Sequence, residues 1–462
     1  MALPQIRPGW SGFHSLLACA LLLLLASSVP ASVRGRPASL LEHEERGIVA
    51  WLGTVFGGRS KELEAYKIRP LCYGGPQDMS REIRGRIELD DPNRIDKSFD
   101  ENSEAKVPYF SHEHCDEVAQ PIRLVPDDCE LFPFEPLEFL NLIKGHRMIF
   151  WGDSVQRQFF AYITFRLRMY QVEESMRIAG DQTEGDPIDP KHCKLSRTPY
   201  NNGLLLPDAC FDIQANMFEK TQSCMRYLDG STALCFVRTS GSVVDERNVP
   251  FWNELDENDI LFANVGLHLN SRRKFRASMA EFTKLLEYQY MSGKELPLMM
   301  WRDTSAQHFG GGEGGNYPRD YKWLRSVPTA TFKCTTYPYE EQRDHDWRNS
   351  ELMDRGFGID NLRVQIPILR VWNTTALASE LHPRILGSTT DRAWQAETGV
   401  ADCTHFCPTK GGMYEIWATL MQNFVQAAGN LSETLRPQFI REPIGMADWA
   451  DQGWDDEFGD EY

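Results

Sequence analysis

The run Arg147-Met148-Ile149-Phe150-Trp151 is apolar after its first residue and stops at Gly152-Asp153-Ser154, after which Val155 to Tyr170 carries a strong apolar face on a helical period. That is a buried strand, a tight turn and a helix in immediate succession. Ala233 to Val237, Ile260 to Val265 and Leu296 to Trp301 read as further buried strands, Leu137 to Ile143 as a short helix, and Arg273 to Tyr290 as a helical stretch between the last two strands. Strands alternating with helices predict an α/β layer fold with a mostly parallel sheet. Ligands on such sheets bind at the carboxyl ends of the strands, which is where Ser154 falls.

The rest of the chain bounds where this fold operates. With 462 residues, 42% hydrophobic content, 12 Trp and 25 Phe, the chain can bury a sizeable core in one large or two ordinary domains. A formal net charge of -17 excludes a general nucleic-acid binder, because affinity for phosphate backbones comes from clustered Lys and Arg. Arg7, the apolar run Leu16 to Ala26 and the small residues Val29 and Ala31 read as a signal peptide over residues 1–31. The alternative is a short signal anchor, the one membrane contact expected. Beyond Cys19, the cysteines Cys72, Cys115, Cys129, Cys193, Cys210, Cys224, Cys235, Cys334, Cys403 and Cys407 form an even set, expected to be a disulfide framework of an oxidising compartment. Sequons at Asn373 and Asn430 fit a glycosylated luminal surface.

Residues 32–128 read as an amino-terminal flanking region, 129–440 as the catalytic domain, and 441–462 as an acidic, disordered tail. His112-Glu113-His114-Cys115 is a solvated loop rather than a zinc site, since ligands so close in sequence do not converge on one tetrahedral ion, and no metal is expected. The glycine-rich run Phe309 to Gly315 lacks the Lys-Ser/Thr pair of a phosphate-cradling loop and reads as a flexible loop beside the site.

A serine between a strand and a helix sits where free backbone N–H groups and the helix dipole stabilise an oxyanion. The competing reading of Ser154 is a plain helix cap. A serine nucleophile needs a base, and the base needs a carboxylate to hold its tautomer. Asp402 and His405 supply both at a spacing that puts them on one side of a turn, with Cys403 and Cys407 positioned to fix the loop.

Gly152-Asp153-Ser154 after a strand, Arg157 three residues past the serine, Asn264-Val265-Gly266-Leu267-His268, the run Trp301-Arg302-Asp303-Thr304-Ser305-Ala306-Gln307-His308-Phe309 and Asp402-x-x-His405 occur in this order over about Cys129 to Leu420. This set resembles the GDSL/SGNH-type acyl esterases and transferases, and within them the PC-esterase group that includes the plant trichome-birefringence-like polysaccharide O-acetyltransferases. Three features depart from the plant pattern. The cysteine-rich amino-terminal segment is not recognisable, Leu267-His268-Leu269 replaces an aromatic pair, and Ala306 stands in place of a proline.

The resemblance implies an SGNH-hydrolase-like, three-layer α/β/α domain. It implies Ser154 as nucleophile, His405 as base and Asp402 as the group that orients it. The oxyanion hole would use the Ser154 N–H and the Asn264 side chain, with Gly241 as a further candidate donor. Arg157, Arg302, His308 and His268 would contact substrate. No bound cofactor is implied; an acetyl donor, acetyl-CoA being one candidate, would be a co-substrate, and a polysaccharide or glycan the acceptor. The expected activity is serine-dependent O-acetyl transfer in the Golgi lumen or after secretion. Two alternatives are a carbohydrate O-acetyl esterase using the same residues and a catalytically silent glycan-binding protein on the same fold.

Overall fold

The computed structural model describes residues 69–89, 121–167, 196–197, 204–205, 222–227, 231–239, 241–244, 252–269, 271–310, 315–318, 327–328, 331–355, 364–386, 398–407 and 411–439. The targeting segment, His112 to Cys115, Gly311 to Gly314 and the acidic tail lie outside the described residues. None of the described helices is long and apolar enough to cross a membrane.

Six strands build the central sheet: β1 (Arg147–Gly152), β2 (Gln222–Tyr227), β3 (Thr232–Arg238), β4 (Ile260–Asn264), β5 (Leu298–Arg302) and β6 (Ile368–Leu369). Their spatial order is β6-β5-β4-β1-β3-β2. All but β2 run parallel; β2 pairs antiparallel with β3 and closes that edge. The fifth strand starts at Leu298 rather than at the expected Leu296. Pro297 has no N–H for an interior ladder, whereas the Leu298 N–H bonds the Asp259 carbonyl at 2.8 Å.

Alternation along β1 shows the layering. Met148 and Phe150 belong to the core shared with α1 (Pro136–Leu142), α2 (Ser154–Leu167) and the late helix Met413–Ala428, while Ile149 and Trp151 belong to the core shared with α3 (Arg272–Met291). One strand therefore feeds two cores on opposite faces, and the fold is a three-layer α/β/α sandwich. Phe150 is fully buried and meets Phe159, Phe160 and Phe262 at centroid distances of 5.3 to 5.7 Å. Truncating such a side chain costs about 3–5 kcal/mol.

From β1 the chain goes first to the edge strand β2, turns back into β3 beside β1, and only then crosses to β4 on the other side. The winding direction reverses at β1, and a crevice opens where such a reversal occurs, at the carboxyl end of the strand. Ser154 follows that end.

Residues expected to flank this domain pack into it. Gly85–Leu89 pairs with Ile122–Pro126, Cys72 is bonded to Cys129, and Tyr73, Met79, Ile83 and Ile122 join the core under α2. A second disulfide joins Cys334 to Cys403, and Cys235 and Cys407 are also disulfide-bonded. Such crosslinks form and persist in oxidising compartments. Of the two sequons, Asn430 is exposed at a helix start, whereas Asn373 lies half-buried in α5 (Trp372–Ala376), counting α4 as Trp347–Arg355.

Candidate active site

At the end of β1, Gly152 stands opposite Asn264 of β4 and Arg238 of β3. A Cβ on Gly152 would come within 2.5 Å of the Asn264 carbonyl oxygen and 2.7 Å of the Gln156 Cβ, so only glycine fits this crossing. Asp153 then caps α2: its Oδ1 accepts the Val155 N–H at 3.0 Å and the Gln156 N–H at 3.4 Å. The helix cap is thus Asp153, not Ser154. The serine hydroxyl is left to other partners, and the Ser154 N–H, on the first helical residue, has no acceptor within the helix.

The hydroxyl meets His405. Nε2 of the imidazole lies 2.7 Å from Ser154 Oγ, and Nδ1 lies 2.9 and 3.1 Å from the two Asp402 oxygens. Asp402 ends the strand Thr398–Asp402, and its Oδ1 also accepts the Thr404 and His405 N–H groups at 3.2 and 3.1 Å. The carboxylate therefore fixes both the turn and the ring upon it. An Nδ1–H donated to Asp402 leaves the Nε2 lone pair to accept the serine proton. Burial presses the His405 imidazole down, but the Asp402 charge and hydrogen bond outweigh it, and the imidazole ends above its ordinary 6.5. Burial pushes Asp402 up, the facing imidazole and the turn N–H groups pull it down, and it ends below its ordinary value. The ring remains partly open, with 17% of its side chain exposed.

The other expected residues divide. Asn264 ends β4 beside Gly152, and its Nδ2 donates to the Arg302 carbonyl at 2.8 Å and the Asp303 carbonyl at 3.3 Å. Gly241 lies two residues past Thr239, whose N–H bonds the Gly152 carbonyl at 2.8 Å, so it belongs to the same sheet edge. Arg157 is nearly buried; burial and the nearby Arg238 push its guanidinium down to about 10, against the pull of Asp153. His268 is exposed in the loop after β4.

Arg302 and His308, expected to line a substrate channel, are fully buried and have no surface to offer a substrate. The Arg302 guanidinium lies over Trp417 at 4.7 Å, donates Nε–H to Gln156 Oε1 at 2.8 Å and Nη1–H to the Asp303 carbonyl at 3.0 Å. His308 has Nδ1 2.7 Å from Nε2 of His382 and Nε2 2.9 Å from the Ala376 carbonyl.

Sequence reasoning missed three groups here. Gln156 clamps α2 to the sheet through its Nε2–H to the Phe262 carbonyl, at 3.0 Å, and through Arg302. Asp303 caps the start of α5, accepting the Val371 and Trp372 N–H groups at 2.7 and 3.2 Å and the Arg370 Nε–H at 3.1 Å. Arg348 of α4 packs its stem on Gly266 and donates to the Leu269 carbonyl at 3.2 Å. Their partners are remote in the chain, and no local pattern marks them.

No family model matches the chain. It is similar to protein trichome birefringence-like 20 of Arabidopsis thaliana, 24% identical over an alignment of 355 residues that covers 65% of this chain and 66% of that protein. The chain thus spans just under two thirds of the length of this curated relative. The similarity is a distant one to the trichome birefringence-like proteins.

Proposed function

We propose that the chain is a serine-dependent O-acetyltransferase of the GDSL/SGNH type acting on polysaccharide or glycan hydroxyls in the secretory pathway, in the Golgi lumen or after secretion. The observation that carries this reading is the unbroken series Asp402, His405 Nδ1, His405 Nε2, Ser154 Oγ, with both contacts at 2.9 Å or less. The distant likeness to a trichome birefringence-like protein supports acyl transfer to a polymer over other serine chemistry.

In this mechanism Ser154 Oγ attacks the carbonyl carbon of an acetyl donor while its proton passes to His405 Nε2. The oxyanion forms against the Ser154 N–H. Asn264 adds a second donor by giving up the longer of its two carbonyl contacts, and Gly241 is a third candidate on the same edge. Collapse expels the leaving group, which takes the proton from His405, and leaves acetyl on Ser154. An acceptor hydroxyl then gives its proton to Nε2 and attacks the ester, and the second collapse returns that proton to Ser154 Oγ. In this reading Arg157, the cation closest in sequence to the nucleophile, and the exposed His268 supply the substrate contacts. Donor, acceptor and enzyme account for every atom transferred.

The deciding experiment incubates purified protein with an acetyl donor plus free glycan and, separately, with acetylated glycan. Acetylated product together with a mass increase of one acetyl group on Ser154, both lost in Ser154→Ala, is the expected result. Hydrolysis with no transfer to any glycan would replace the transferase by an esterase. Neither activity, with Ser154→Ala indistinguishable from wild type, would leave only a binding role.

A further inference from the structure

The carbonyl of His405 is held by a second histidine. His382 Nδ1 lies 2.6 Å from the His405 carbonyl oxygen, its Nε2 lies 2.7 Å from His308 Nδ1, and His308 Nε2 lies 2.9 Å from the Ala376 carbonyl oxygen. Both rings are fully buried. The backbone around them ties the same loops together: the His308 N–H bonds the Cys403 carbonyl at 3.1 Å, and the Cys407 N–H bonds the Leu381 carbonyl at 2.7 Å. His382 also stacks on Phe406, with centroids 4.5 Å apart. Asp402 thus fixes the ring of His405, and a chain of two imidazoles fixes its carbonyl.

The protons in this chain can be counted. A carbonyl oxygen only accepts, so the two ends require N–H on His308 Nε2 and on His382 Nδ1. Two neutral imidazoles bring two ring protons for three contacts. With His308 Nδ1–H on His382 Nε2, 2.7 Å away, and His382 Nδ1–H on the His405 carbonyl, only the Ala376 end lacks a donor. One further proton supplies it, and the pair then carries a single positive charge.

We propose that His308 and His382 are positioning residues that act as one unit: in the neutral pair His308 Nδ1–H donates to His382 Nε2 and His382 Nδ1–H donates to the His405 carbonyl, holding the imidazole at Ser154. A proton taken up on acidification adds a His308 Nε2–H bond to the Ala376 carbonyl. The proposal rests on reading His405 as the base. Burial opposes the added charge, pressing His308 down to about 4 and His382 well down as well. Around His382, Asp402 favours its charge while His405 and His308 oppose it, and the neighbouring Glu380 and Arg384 pair with each other. Without the added proton the pair has two protons for three contacts, and the contact to the Ala376 carbonyl is the one left without a donor, so the His405 carbonyl keeps its bond to His382.

The test combines a spectroscopic and a kinetic arm. In the wild-type protein with nitrogen-15-labelled histidine, one strongly downfield ring proton coupled to both His308 Nδ1 and His382 Nε2 is expected at neutral pH and across the range where the fold persists. In the kinetic arm, His308→Ala and His382→Ala each lower kcat about 10- to 100-fold with KM little changed, the scale of a small misplacement of a reacting group. The double variant is no worse than the singles, and His382→Gln, which both donates and accepts, recovers most of the loss. Absence of a bridging proton throughout that range overturns the proposal, as do additive kinetic losses in folded variants. The spectroscopic arm needs neither turnover nor a variant that folds, so it stands apart from failure of the acyltransfer reading.

Discussion

Ser154 and His405, 251 positions apart in the chain, meet at 2.7 Å between Oγ and Nε2. The contact joins the turn after β1 to the turn after Thr398–Asp402, so two separate backbone devices must agree for it to exist. Each is a carboxylate-capped turn, Asp153 on one side and Asp402 on the other.

The state of His405 sets the acid limb of activity. Its imidazole is raised above 6.5, so it keeps its proton to a higher pH than a free imidazole and serves as base only above that point. Activity is therefore expected to rise with pH through a midpoint above 6.5. A pH profile of kcat/KM measures it; a midpoint below the free-imidazole value would contradict the pairing with Asp402.

Asp402→Asn separates the two influences on that ring. With the carboxylate neutralised, burial is left as the main influence, and the acid limb is expected to move below its wild-type position. The amide also permits the wrong tautomer, and loss of such a carboxylate in a serine triad lowers kcat on the order of 10⁴-fold. Residual activity with an unmoved limb would show that Asp402 does not govern His405.

Gly152→Ala places a methyl group 2.5 Å from the Asn264 carbonyl oxygen, in contact with backbone that cannot step aside. Overpacking of this kind costs about 1–3 kcal/mol. The same crossing sets the height of Ser154 above the sheet, so urea unfolding should show a lowered midpoint and assays a loss of kcat larger than stability alone explains. A fully active, equally stable variant would mean that β1 and β4 can separate without disturbing the nucleophile.

Local signals made β1, α2, β3, β4, β5 and α3 legible, because each is an uninterrupted run with one clear period. Edges were less so: β6 is two residues long and β2 pairs antiparallel, and neither carries a pattern that distinguishes it from loop. Residue type and position single out Ser154, Asp402 and His405, and the fold brings them together. Arg302 and His308 share one motif yet turn inward, since a sequence shows which polar groups occur together and not which of them a neighbour satisfies. Their partners, Gln156 and His382, lie 146 and 74 positions away. The Asp153 cap shows the converse: a short-range pattern that also fits a serine cap is resolved only by seeing which oxygen receives the N–H groups.

Gln156 and Arg302 are expected to be energetically coupled. The buried Nε–H to Oε1 bond at 2.8 Å joins a charged donor to a neutral acceptor, and bonds of that kind contribute about 1.5–3 kcal/mol. Gln156→Leu and Arg302→Met should each destabilise the fold, and the double variant should cost less than their sum. Strict additivity in a double-mutant cycle would show that the two side chains act independently.

Two of the disulfides offer a controlled comparison. Cys72–Cys129 and Cys334–Cys403 close separations of 57 and 69 residues, so the chain-entropy model assigns them nearly the same stabilisation, about 4 kcal/mol each. Their positions differ in kind. Cys129 precedes α1 on the amino-terminal side of the core, whereas Cys403 is bonded through the chain to Asp402, and its carbonyl receives the His308 N–H at 3.1 Å. Replacing either pair by serines should lower the unfolding midpoint similarly. Only the Cys334/Cys403 pair should also lower kcat in protein that is still folded, because its loss frees the backbone between Asp402 and His405. Equal losses of kcat from the two replacements, at matched stability, would show that the crosslink beside Asp402 supports the fold alone and has no part in placing the base.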